Sequence, residues 1–192
     1  MTNEELNDFV EIFYTIKEES KAAAFGFEDD WQTFIKKMIL LSPKAYGTKI
    51  QNRIMHKNGL SAVSASDNKA DCEKNGEYYE IKTTILTPTN KNANIAGVRE
   101  WQNITGYLIF IIDARKLAQI VTYSFYLTKE QLDNEKSKGI TFSDLNGTKE
   151  ANKNNEKSAK RFGFSLDSEH FQRWRQDYLI DLNNAESLIQ TL

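Results

Sequence analysis

Hydrophobic residues recur at helical spacing in three segments of the first sixty residues. The first segment opens with a capping-box pattern formed by Thr2 and Glu5. The second carries its apolar residues on one face between Trp31 and Ile39. The third runs from Ser42 to Gly59, with a serine cap followed by proline at the first helical position. The pattern predicts three amphipathic helices whose aromatic stripes belong to a core.

The pattern then changes from helical spacing to strands. Residues 60–86 are β-like, with the dipeptide Asn75-Gly76 in the middle. A short helix is predicted over Asn94 to Thr105 from the spacing of Ile95, Val98 and Trp101. Two strands are predicted next, over residues 107–113 and 119–127. This order of elements indicates an α/β protein with a central hairpin.

The last third of the chain returns to helical signals. Thr128 and Gln131 form another capping box, and residues 145–160, rich in Asn, Lys and Gly, are predicted as an exposed loop. A final amphipathic helix is predicted from the spacing of Phe171, Trp174, Tyr178 and Leu182. No internal repeat or domain boundary stands out, so the sequence predicts one mixed α/β domain over residues 1–192.

Composition fits a folded protein that lies outside the membrane. Of 192 residues, 40% are hydrophobic and 11% aromatic, which is enough for a sizeable core. The longest apolar run, Tyr107 to Ile112, suits a buried strand and is far shorter than a membrane span. The acidic, polar N-terminus does not resemble a secretory signal, and the one cysteine, Cys72, cannot form an intramolecular disulfide. We therefore expect a cytoplasmic protein.

Positive charge is unevenly distributed, although the net charge is only -2. Residues 31–66 contain six lysines and arginines and no acidic residue. Three of these, Lys49, Arg53 and Lys57, follow one another at four-residue spacing along one side of the third helix. Such a distribution is typical of a face that binds a polyanion, and we expect these three side chains to contact DNA phosphates. The alternative is an ordinary solvated helix.

The hairpin contains the residues most suited to catalysis. Asn-Gly is typical of a two-residue type I′ turn, and counting outward from it places Asp71 opposite Glu80. Lys82 lies two residues further along the second strand and points to the same face. Two carboxylates side by side require a compensating cation, and Mg²⁺ prefers such oxygen ligands. The sequence contains no glycine-rich phosphate loop or serine-hydrolase elbow, and His56 and His170 lack neighbouring metal ligands.

This segment resembles the core motif of the PD-(D/E)XK nuclease superfamily, to which most type II restriction endonucleases belong. In that family an aspartate on one strand precedes Glu-X-Lys on the next, as Asp71 precedes Glu80-Ile81-Lys82 here. The resemblance covers about residues 43–127, and Ala70 stands where the motif has proline. It implies a restriction-endonuclease-like fold, with a mixed central sheet flanked by helices. Many members also carry Glu or Gln on the helix before the hairpin, for which Gln51 is the candidate.

The resemblance also implies a mechanism and a substrate. Asp71, Glu80 and the carbonyl oxygen of Ile81 would bind Mg²⁺, and Lys82 would position the attacking water and stabilise developing charge. The expected activity is sequence-specific hydrolysis of phosphodiester bonds in double-stranded DNA, within a restriction-modification system. The enzyme would act as a homodimer or as a heterodimer with a second nuclease subunit. Alternatives are a repair or nicking endonuclease of the same fold, a catalytically dead DNA-binding module, and a protein-interaction domain.

Overall fold

The computed structural model describes residues 14–16, 18–63, 70–145 and 159–182. Its helices are α1 (Trp31–Met38), α2 (Pro43–Asn58), α3 (Lys129–Ser137) and α4 (Glu169–Asp177). Its strands are β1 (Ser61–Ala62), β2 (Cys72–Lys74), β3 (Glu77–Leu86), β4 (Asn92–Val98), β5 (Gly106–Asp113), β6 (Val121–Thr128), β7 (Ser143–Asp144), β8 (Lys160–Ser165) and β9 (Leu179–Leu182). The contacts divide the chain into two units, residues 1–53 and 54–192.

The strands form two sheets. Six strands make a mixed sheet in the order β1-β2-β3-β5-β6-β9, in which β3 and β5 run parallel and the other neighbours run antiparallel. A smaller antiparallel sheet has the order β4-β8-β7. The predicted mixed α/β class and the predicted mixed central sheet are therefore confirmed. The finer restriction-endonuclease-like fold, and the nuclease domain over residues 1–192 with its core at 43–127, stay predictions.

Several predicted elements are confirmed in place. The second and third predicted helices correspond to α1 and α2, and the two predicted strands after residue 105 correspond to β5 and β6. Thr128 caps α3 with the reciprocal hydrogen bonds of a capping box to Gln131. The capping box at Thr2 and most of the 145–160 loop lie outside the described residues. Among the described residues, no helix is long and apolar enough to cross a membrane.

Two predicted helices need correction. Residues 92–98 form strand β4, so the helix predicted over Asn94 to Thr105 is wrong. The buried positions of β4 alternate, and the strand pairs with β8, which is distant in sequence and supplies its hydrogen bonds. The last predicted helix exists as α4 but ends at Asp177, and Leu182 belongs to β9. Tyr178 is the C-terminal cap of α4.

One apolar cluster joins the two sheets and the helices of the second unit. It combines inward-facing residues of β4 and β8 with residues of β5, β6, α3 and α4, namely Ala93, Ile95, Phe162, Phe164, Tyr107, Ile109, Ile111, Phe125, Leu127, Leu132, Phe171 and Trp174. In the β3–β5 ladder, Glu80 lies opposite Tyr107 and Lys82 opposite Ile109. Residues opposite one another share a sheet face. Glu80 and Lys82 therefore project from the face of the large sheet that carries this cluster.

Arg53 is part of the core of the first unit. Its side chain is 1% exposed, and its guanidinium donates to the carbonyl oxygens of Gly26 and Asp29, each at 2.7 Å. The guanidinium also stacks against the ring of Phe34, 4.4 Å from its centroid. The prediction that Arg53 contacts DNA is therefore wrong, because a delocalised guanidinium serves here to satisfy buried backbone carbonyls.

The Lys49 side chain also makes a hydrogen bond within its own unit. Its ammonium donates to the carbonyl oxygen of Ala22, and partial burial lowers the pKa of Lys49. The side of α2 that carries Lys49 and Arg53 therefore packs against the preceding segment of its own unit instead of forming a phosphate-binding row. Lys57, at the end of the helix, is exposed. Its contact with DNA stays a prediction.

Candidate active site

The hairpin that carries the predicted site has the expected turn. Asn75 and Gly76 both have positive φ, 54° and 84°, as a type I′ turn requires. The ladder beyond it pairs Lys74 with Glu77, Glu73 with Tyr78 and Cys72 with Tyr79. The register predicted from the Asn-Gly dipeptide is therefore confirmed as far as Cys72.

The register changes at Asp71. The amide of Asp71 donates to the carbonyl oxygen of Tyr79 at 3.2 Å, although Tyr79 is already the ladder partner of Cys72. Two consecutive residues of one strand thus face a single residue of the other, which is the arrangement of a β-bulge. The predicted cross-strand pair of Asp71 with Glu80 is therefore wrong, because the count assumed a regular ladder.

The bulge places the Asp71 carboxylate at the edge of β3. Strand β2 pairs with β3 only as far as Tyr79, whereas β3 continues to Leu86, and no other described strand pairs with that edge of β3. Oδ2 of Asp71 accepts a hydrogen bond from the Ile81 amide at 2.8 Å. The amide and carbonyl of one strand residue point to the same side. The carbonyl of Ile81 therefore faces the edge at which Asp71 lies, and two of the three predicted metal ligands are neighbours.

Glu80 and Lys82 form a largely buried ion pair. Glu80 is 1% exposed, and its Oε1 accepts a hydrogen bond from the ammonium of Lys82 at 2.5 Å. The other carboxylate oxygen, Oε2, is buried and has no hydrogen-bond partner among the described residues. A buried carboxylate oxygen without a donor is costly. The pair is therefore incompletely satisfied by the protein alone.

Electrostatic effects link the two carboxylates. Burial raises the pKa of Glu80; Lys82 and Arg99 oppose this shift, and the negative charge of Asp71 adds to it. Burial, together with the charges of Asp71 and Glu80, also raises the pKa of the Cys72 thiol to about 12. A thiol with so high a pKa is protonated near neutral pH, which disfavours Cys72 as a nucleophile. Asp71, Glu80 and Lys82 share one local electrostatic environment.

Strand β4 covers this environment and adds residues that the sequence did not indicate. Gly97 has a φ of 77° and lies where the β4–β8 register shifts. A Cβ atom at Gly97 would lie 3.5 Å from the ammonium nitrogen of Lys82, so the β4 backbone passes close to that side chain. Arg99 follows Val98, the last residue of β4, and is half-buried. Only a glycine and an arginine two residues apart could have marked this region in the sequence, and that signal is weak.

The residues present fit a hard divalent cation. Among the described residues, no three of His, Cys, Asp and Glu cluster in a way that could hold a metal ion. The predicted metal site needs only two such residues, because its ligands are the carboxylates of Asp71 and Glu80 and the carbonyl oxygen of Ile81. Mg²⁺ is often bound through one or two carboxylates, with water and phosphate completing its octahedron. The buried Oε2 atom of Glu80 is the kind of atom that such an ion would satisfy.

Gln51 lies on α2, in the first unit, and is half-buried. Its membership of the site stays a prediction. A scan against models of known protein families finds no match for this chain, and a search of curated proteins finds none either. The functional argument therefore rests on the residues themselves.

Proposed function

We propose that this protein is a Mg²⁺-dependent DNA endonuclease that hydrolyses phosphodiester bonds at the site formed by Asp71, Glu80 and Lys82. The observation that carries the proposal is the buried pair of Glu80 and Lys82. The Oε2 atom of Glu80 has no hydrogen-bond donor among the described residues. A buried carboxylate oxygen without a hydrogen-bond partner calls for an explanation, and a bound ion is one. A second carboxylate at the adjacent strand edge, that of Asp71, favours a cation as that ion.

The residues of this site would have separate roles in phosphodiester hydrolysis. Asp71, Glu80 and the Ile81 carbonyl would hold Mg²⁺. When bound, that ion supplies Lewis-acid catalysis, since it neutralises phosphate charge and lowers the pKa of water. Lys82 is 14% exposed along its side chain, so its ammonium can reach a phosphate at the surface while it remains held by Glu80. It would orient the attacking water and stabilise the negative charge of the pentavalent transition state.

The substrate class follows from the same site. A site with one pair of carboxylates hydrolyses one strand at a time, so a double-strand break requires a second site. We propose that the second site comes from another copy of this chain or from a second nuclease subunit. We propose a sequence-specific endonuclease of the restriction type.

Digestion of plasmid and phage DNA tests this function. Purified protein with Mg²⁺ should give discrete fragments, EDTA should stop the reaction, and added Mg²⁺ should restore it. Random degradation would indicate a non-specific or repair nuclease. Binding without cleavage would indicate a DNA-binding module whose nuclease site is inactive. Neither binding nor cleavage of DNA would reject the proposal.

A further inference from the structure

The small sheet presents an exposed face whose side chains are polar but mostly uncharged. We use the name outer face for a set of exposed residues that line a shallow depression of about 390 Å³, namely Asn92, Asn94, Thr141, Ser143 and Arg161. It consists of two amides, two hydroxyls and one guanidinium. The outer face is therefore rich in hydrogen-bonding groups of both kinds and poor in charge.

The strand alternation explains why these residues face outward. In β4, Ala93 and Ile95 are buried in the apolar cluster, so Asn92 and Asn94 must point the other way. In β8, the rings of Phe162 and Phe164 fill the same cluster. The outer face thus lies on a sheet that is anchored by its reverse side, which makes it a rigid platform.

Gly163 forms the floor of the depression. It pairs with Asn94 across the β4–β8 ladder. A Cβ atom at Gly163 would lie 2.4 Å from the Ala93 carbonyl oxygen and 3.0 Å from Oδ1 of Asn94, so no side chain fits there. The polar side chains therefore surround a depression whose floor is backbone. An edge of another molecule can enter that depression.

We propose that the outer face contacts base edges of double-stranded DNA and contributes to sequence recognition; this inference rests on the proposed nuclease function. Amides and guanidinium groups are the side chains that read bases, with asparagine donating to and accepting from adenine and arginine donating to guanine. Phosphate contacts would instead need several cations, and Arg161 is the only cation of the outer face. The nearby carboxylate of Asp144 is paired with Lys160 at 2.7 Å and does not repel DNA strongly.

Strand β4 connects the outer face to the candidate active site. Asn94 is three residues from Gly97, roughly 10 Å along a strand. Gly97 in turn lies beside the ammonium of Lys82. The outer face and the candidate active site are therefore linked by one short stretch of β4.

Selection from a random pool of duplexes tests the inference. The selection is carried out with the wild type and with the Asn92→Ala/Asn94→Ala variant, in Ca²⁺. The affinity of each protein for the duplex that the wild type enriches is then measured. Each lost base contact is worth roughly 1–3 kcal/mol, so the double variant should bind that duplex about 30-fold or more weakly. Its affinity for unrelated duplex and the slope of log affinity against log salt should not change, because no phosphate contact is removed.

Two further variants separate recognition from folding. Asn134→Ala removes an exposed asparagine on α3, away from the outer face, and should leave selection unchanged. Asn94→Asp keeps the side-chain shape and adds a negative charge, so it should weaken DNA binding without lowering the thermal midpoint. A double variant that enriches the same sequence with the same affinity would overturn the inference and leave the nuclease proposal intact.

The remaining outcomes also decide the matter. A wild type that binds no duplex overturns the inference, and the digestion assay then decides the nuclease proposal separately. Unchanged DNA selection together with an altered oligomeric state in the double variant would assign the outer face to contacts between protein chains. Loss of selection in the double variant of a protein that does not cleave DNA would support the inference while rejecting the nuclease.

Discussion

Glu80→Gln is expected to reduce DNA cleavage on the order of 10³-fold or more while the thermal midpoint changes by only a few degrees. Glutamine keeps an oxygen that can accept the hydrogen bond of Lys82, which the structure places 2.5 Å from Oε1. It cannot supply the negative charge that a cation requires. Loss of the ion's charge stabilisation is worth several kcal/mol in the transition state. Initial cleavage rates in Mg²⁺ and a thermal melt of the same preparations measure both effects.

A matched control lies on the same strand. Glu77 is exposed at the start of β3, and its carboxylate accepts a hydrogen bond from the Tyr79 hydroxyl at 2.7 Å. Glu77→Gln should therefore cleave DNA at nearly the wild-type rate. Asp71→Asn should behave like Glu80→Gln. A Glu80→Gln protein with full activity would remove Glu80 from the mechanism.

Glu135 is expected to have the largest effect on stability. It is fully buried, and its carboxylate accepts hydrogen bonds from Arg173 at 2.6 Å, Trp174 at 2.9 Å and Tyr178 at 2.8 Å. Lys138 adds an ion pair at 3.1 Å. These contacts fasten α3 to α4 at the edge of the apolar cluster. Glu135→Ala should lower the free energy of unfolding by about 3–5 kcal/mol, because it breaks a buried charged pair.

The same carboxylate predicts a dependence of stability on pH. Burial alone would raise the pKa of Glu135, but the hydrogen bonds from its four partners outweigh burial and hold the pKa at about 2. A carboxyl group whose pKa is lowered by folding stabilises the protein above its unfolded pKa, and that contribution is lost as the pH falls toward the folded pKa. The contribution, about 3 kcal/mol, should therefore disappear between pH 5 and pH 2.

Urea unfolding of wild type and Glu135→Gln over this pH range measures that contribution. The wild type should lose more stability than the variant on acidification, since glutamine does not titrate. Glu130 is exposed on the same helix, and Glu130→Gln should retain the pH dependence of the wild type. Parallel curves for wild type and Glu135→Gln would show that the carboxylate does not contribute this energy.

Short-range signals predicted the parts of the site that depend on neighbouring residues. Asn75-Gly76 fixed the turn because only a few residue types adopt positive φ at both central positions. The register followed as far as Cys72, and Glu80 and Lys82 lie on one face as strand alternation requires. The apolar run of β5 was equally clear, since a strand buried on both faces is apolar almost throughout.

Long-range pairing was beyond what the sequence could indicate. The spacing of Ile95, Val98 and Trp101 fits a helix, but β8 supplies hydrogen bonds that make residues 92–98 a strand. The bulge at Asp71 lies where β2 stops and β3 continues, and counting across a regular ladder could not foresee it. Arg53 has the charge pattern of a phosphate ligand, yet the carbonyls of Gly26 and Asp29 enclose it.

The central claim is that Asp71 and Glu80 hold a divalent cation, and Mn²⁺ titration followed by electron paramagnetic resonance tests it most directly. Wild type should bind a single Mn²⁺ ion per chain, Mg²⁺ should compete for it, and both Asp71→Asn and Glu80→Gln should bind it far more weakly. Because burial raises the pKa of Glu80 and the ion needs the carboxylate, affinity should fall as the pH drops through that raised pKa. Mn²⁺ binding that is absent in the wild type, or equal in all three proteins, would contradict the claim.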